Sequence, residues 1–70
     1  MTLPNSDLAA QATEIAKGSG GLRRRAAQTA YIALATTGTI GRAREALADV
    51  WPFDVRDAAL DIIGQLAEPV

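Results

Sequence analysis

Seventy residues with a formal net charge of −1, no cysteine and no histidine allow one domain, residues 1–70, and exclude disulfides and the usual zinc ligand sets. About half the chain is apolar, but 15 of its residues are alanine; Leu, Ile and Val together supply another 15, and Trp51, Phe53 and Tyr31 one ring each. An alanine methyl hides little area, so a chain this short is expected to gain from a second copy or from docking to another macromolecule. No run approaches the ~20 apolar residues of a membrane span, and the start, MTLPNSDLAA, lacks the basic and apolar regions of a secretory signal. The expectation is a complete, soluble, cytoplasmic protein.

The small net charge conceals a separation along the chain. Residues 17–44 hold Lys17, Arg23, Arg24, Arg25, Arg42 and Arg44 with no acid, a block of +6. Residues 45–70 hold Glu45, Asp49, Asp54, Asp57, Asp61 and Glu68 against Arg56, a block of −5, and the first 16 residues add −2. Either the fold brings the two blocks together to neutralise each other, or they remain separate poles that steer a partner.

Taken in order, the first helix is predicted over residues 7–17. Asn5 or Ser6 is its expected cap, Asp7 lies near its positive end, and Leu8, Ala12, Ile15 and Ala16 share one face. Gly18 is its natural terminator. The loop GSGG, residues 18–21, has the glycines of a phosphate-binding loop, but no strand pattern precedes it and the Lys-Ser/Thr pair is missing, so nucleotide binding is not expected.

A second helix is predicted over residues 22–37. Residues 26–37, AAQTAYIALATT, carry no charge and are apolar all round a helical projection, the pattern of a helix buried at the centre of a bundle or shared between subunits. Arg23, Arg24 and Arg25 in its first turn oppose the helix dipole by a few tenths of a kcal/mol per charge. Solvent, phosphates, internal acids or a partner's carboxylates can compensate.

Gly38 is expected to end this helix as a left-handed cap, and Thr39 to cap a third over residues 40–50, with Ile40, Ala43, Leu47 and Val50 facing inward. Pro52 pushes Trp51 out of the helical region. Trp51 and Phe53 either plug the end of the bundle or form an exposed hot spot for a partner. Asp54 is the expected cap of a fourth helix, whose Val55, Ala59, Ile62, Ile63 and Leu66 face the core while Arg56, Asp57, Asp61 and Gln65 point away; Pro69 stops it.

The residues TGTIGRAREAL, 37–47, preceded by the apolar YIALA of 31–35, resemble the start of bacterial helix-turn-helix domains of the LysR regulator type. The resemblance covers residues 31–47, about a quarter of the chain, and implies a helix-turn-helix-like arrangement of helices two and three with the next helix reading the major groove. That next helix carries Asp54, Asp57 and Asp61, which repel phosphate. Nucleic-acid binding would therefore fall to Arg23, Arg24, Arg25, Arg42 and Arg44 as contacts blind to sequence.

Catalytic residue types are scarce. Lys17 is the sole lysine, and the carboxylates fall at caps or on a solvent face where nothing raises their affinity for a proton. Asp57 and Asp61, four residues apart, lack the further oxygens a cation needs. The sequence therefore points to an all-α, small four-helix bundle with a central apolar helix, with no cofactor or metal. It reads as a non-enzymatic regulatory or inhibitory module that works through protein–protein contact as a homodimer. Its partner-binding residues are Arg23, Arg24, Arg25, Arg42, Arg44, Trp51 and Phe53, facing a protein with an acidic surface; a nucleic-acid-binding regulator is the alternative.

Overall fold

A computed structural model describes residues 6–50 and 52–67, and these form four helices: α1 (Ser6–Lys17), α2 (Gly21–Thr36), α3 (Ile40–Leu47) and α4 (Phe53–Ala67). The protein is a small all-α bundle. Both α2 and α4 touch all three other helices, whereas α1 and α3 do not meet among the described residues. The apolar helix is therefore central, and it shares that position with α4.

The inward faces follow the spacing of apolar residues. Ala9, Ala12 and Ala16 of α1 are buried, with Leu8 and Ile15 packed at the edge. Ala43 and Leu47 carry α3 into the core, and Val55, Ala59, Ile62 and Ile63 carry α4. Among the described residues, only Leu34, Leu47, Ile62 and Ile63 are large and fully buried. The remainder of the core is chiefly alanine, which lets the helices approach closely but adds little hydrophobic stabilisation per residue.

Burial of α2 on every side does not hold. Ala26, Ala27, Ala30, Ala33 and Leu34 are buried, but Gln28, Tyr31, Ile32 and Ala35 are exposed. The helix is surrounded on only part of its circumference, and three neighbours leave one broad side to water.

Several ends also differ from expectation. Asn5, the first cap candidate of α1, lies outside the described residues, and Ser6, the second, is already helical. The Gly18 amide donates to the Glu14 carbonyl at 3.1 Å as α1 closes. Among the described glycines only Gly21 has a positive φ, +58°, so neither Gly18 nor Gly38 is a left-handed cap. Instead α2 stops because Thr37 is extended, at φ −126° and ψ 161°. The Thr37 hydroxyl donates back to the Ala33 carbonyl at 2.6 Å and helps satisfy the helix end.

Thr39 does cap α3, its hydroxyl accepting from the Arg42 amide at 3.1 Å. Three residues earlier than expected, α3 ends through amide bonds reaching back three residues, Ala48 to Glu45 and Val50 to Leu47, both 3.1 Å. This tighter winding ends the helix ahead of Pro52. The Pro52 carbonyl accepts from the Arg56 amide at 3.1 Å, so α4 starts at Phe53 and Asp54 sits in the first turn, not at the cap. There the Asp54 carboxylate accepts from the Val55 amide at 2.9 Å and favours the positive helix end. The end of α4 at Ala67 precedes Pro69, which lies outside the described residues.

Candidate functional site

The arginine block occupies two places. Arg23, Arg24 and Arg25 lie in the first turns of α2, and Arg42 and Arg44 on α3; all five are exposed. The ion pairs among the described residues are Lys17 with Glu14 at 3.4 Å and Arg56 with Asp57 at 3.1 Å, and neither involves the block. Among the described residues, then, the five arginines make no direct ion pair with the acidic block. Arg44 sits in the last turn of α3, where a cation suits the dipole. The first turn of α2 contains no acid, and its Gly20 cap makes no side-chain hydrogen bond, so Arg23, Arg24 and Arg25 face an uncompensated positive helix end.

Helical spacing then organises the outer face of α2. Arg24, Gln28, Tyr31 and Ala35 follow one another at intervals of four, three and four residues, with Arg25 and Ile32 alongside. These are the intervals of a helix seam. Tyr31 is 42% exposed and Ile32 59%. The Thr29 and Thr36 hydroxyls donate back to the Arg25 and Ile32 carbonyls at 2.9 and 2.7 Å, which makes this flank less polar than its composition suggests.

A groove flanks this ridge on each side. The one toward α1, about 230 Å³, is lined by Thr13, Ala16, Lys17, Arg24, Gln28 and Tyr31. The other, about 280 Å³, lies between α2 and the start of α4, where Arg25, Thr29 and Ile32 face Val50, Pro52 and Val55. Gln28 borders both. Arg24 and Arg25 therefore join apolar surface at the two grooves, whereas Arg23, Arg42 and Arg44 line neither.

At the aromatic corner, Phe53 is 54% exposed and does not plug the bundle. The Arg56 guanidinium lies 4.6 Å from its ring centroid and also donates to the Asp57 carboxylate from Nε at 3.2 Å and Nη2 at 3.1 Å. Arg56 thus packs against the exposed ring in a cation–π contact while pairing with Asp57. Trp51 lies outside the described residues. Farther along α4, Asp61 accepts from the Gln65 side chain at 3.0 Å, so Asp57 and Asp61 are engaged by different partners.

Tyr31, Ile32 and Gln28 belong to the exposed surface that sequence reasoning missed. The available signal was Gln28 itself, the largest polar side chain in the uncharged stretch 26–37, seven residues from both Gly21 and Ala35. No family model, curated protein or solved structure matches this chain.

Proposed function

We propose that this protein is a non-enzymatic regulatory or inhibitory module that acts by binding another protein, with the module itself a homodimer. The observation supporting the reading is a set of five exposed arginines with no ion-pair partner among the described residues, of which Arg24 and Arg25 share grooves with the exposed Tyr31 and Ile32. Exposed arginine next to aromatic and aliphatic surface is the composition of interface hot spots. The partner is a protein with an acidic surface, for which Arg23, Arg24, Arg25, Arg42 and Arg44 supply attraction and orientation and Phe53 supplies buried area.

Affinity capture from the source cells tests this directly. Wild-type protein should retain an acidic protein after nuclease treatment. The Arg23→Glu, Arg42→Glu, Arg44→Glu variant, altered at exposed arginines that line neither groove, should lose it. Retention independent of these charges contradicts the reading.

The same arginines favour a second reading, binding to nucleic acid, in line with the LysR-type resemblance of residues 31–47. Exposed Asp57 and Asp61 on α4 weigh against that helix entering a groove. Under this second reading the captured material is nuclease-sensitive, and affinity for mixed duplex falls steeply with salt.

A further inference from the structure

We infer that the uncovered face of α2 is the seam of a two-fold dimer, in which α2 of one copy packs antiparallel to α2 of a second with Gln28 at the axis. The inference rests on the reading of this protein as a protein-binding module, and it specifies which surface makes the homodimer.

Three features select a second copy as the occupant. The first is register. With Gln28 facing its own counterpart, Gly21 lies opposite the partner's Ala35, Arg24 opposite the partner's Ile32, and Arg25 opposite the partner's Tyr31. Small residues then meet at both ends of the seam, where backbones can approach closely. The Arg24 stem covers an exposed aliphatic side chain, and the Arg25 guanidinium meets an exposed ring.

The second feature is charge. The last turn of α2 carries no basic residue and its first turn no acid. Antiparallel pairing brings the arginines of one copy toward the negative helix end of the other, supplying a compensation that α2 does not contain within itself. At 1.5 Å per residue, the two Arg24 positions are offset by about 12 Å along the seam, beyond the screening length in physiological salt. Parallel pairing would instead align all the arginines.

The third is size and shape. Sixteen residues make a helix about 24 Å long. A seam of that length and about two helix diameters wide would cover roughly 500 Å² per copy, or about 1,000 Å² in total, under the ~1,200 Å² of stable interfaces and at the threshold of a weak, specific one. The ridge at Gln28, Tyr31 and Ile32 has a groove on each side, so crossing of the two α2 axes at an angle lets the ridge side chains of each copy enter the grooves of the other.

Because the chain lacks cysteine, a single introduced thiol reports this geometry. Full-length Gln28→Cys should become a disulfide-linked dimer under mild oxidation at micromolar concentration, because residues at the axis can meet the distance a disulfide demands. Asp61→Cys, on the exposed face of α4, should remain unlinked. Wild type should sediment at twice the 7.3 kDa chain mass, and Ile32→Asp, at an exposed position, should retain its helical circular dichroism and sediment as monomer. A wild-type monomer throughout the micromolar range overturns the inference, as does a dimer that links through Asp61→Cys and not through Gln28→Cys. A monomeric wild type that still captures an acidic protein refutes the dimer alone. A Gln28-linked dimer whose captured material does not depend on the arginines supports the dimer and refutes the proposed partner chemistry.

Discussion

Leu34 and Ile32 are two positions apart on α2, yet one is 1% exposed and the other 59%. Truncating each to alanine measures how unequally the two sides of the helix contribute to folding. Leu34→Ala removes three carbons from a core whose described residues include only four large, fully buried side chains. At about 0.8 kcal/mol per buried methylene and with a cavity term added, the expected loss is about 3 kcal/mol. A 70-residue chain has about 3–10 kcal/mol of total stability, so this one change removes a third of it or more. The thermal midpoint should fall by roughly 12–24 °C. Ile32→Ala removes side-chain area already in water and should stay within about 0.5 kcal/mol in the monomer. Urea denaturation followed by circular dichroism, at protein concentrations low enough to avoid association, reads both values. A Leu34→Ala loss below about 1 kcal/mol, or equal losses at the two positions, would refute the placement of α2.

Two glycines provide a backbone comparison with opposite signs. An added methyl meets nothing within 4 Å at either Gly21 or Gly41, but Gly21 has φ +58°. Gly21→Ala should therefore cost about 1 kcal/mol from left-handed strain, whereas Gly41→Ala, inside α3, should stabilise by about 0.5–1 kcal/mol; thermal melts of the two variants should move apart. Thr39→Ala should cost about 1 kcal/mol by removing the cap on the eight-residue α3, with Thr39→Ser restoring most of it in the same denaturation assay. Ala30→Leu places a larger side chain at a fully buried position between close-packed helices. It should destabilise by about 1–3 kcal/mol, whereas the same replacement at exposed Ala35 should leave the monomer's denaturation midpoint nearly unchanged.

Much of the fold was legible because apolar spacing specifies a direction. Ala43 and Leu47 of α3, and Val55, Ala59, Ile62 and Ile63 of α4, repeat at intervals that define one inward stripe, and each of these residues is buried. The Thr39 cap was legible for a similar local reason, since its hydroxyl needs only the amide three residues ahead. The α2 stretch was ambiguous because alanine counts as apolar on any face, while only tertiary packing determines how many faces neighbours cover. Gly38 looked like a left-handed terminator, but an extended Thr37 ends the helix equally well.

The candidate site was legible in composition and less so in arrangement. The block of Arg23, Arg24, Arg25, Arg42 and Arg44 could be read as exposed, but its lack of ion pairs among the described residues depends on how α4 turns its acids relative to α2. Phe53 beside Pro52 could be read as a core plug, but the ring lies at the surface with Arg56, three residues later, over it. A stretch of helix seam spacing, from Arg24 through Gln28 and Tyr31 to Ala35, emerges only once the opposite side of α2 is known to be occupied.

The most direct test of the outward-facing role of α2 is a dilution series of ¹⁵N–¹H spectra from millimolar to low micromolar protein. Concentration-dependent shifts should concentrate at Arg24, Arg25, Gln28, Tyr31, Ile32 and Ala35 and be weak at Asp57 and Asp61. Spectra that do not change with concentration, or shifts centred on α4, would contradict it.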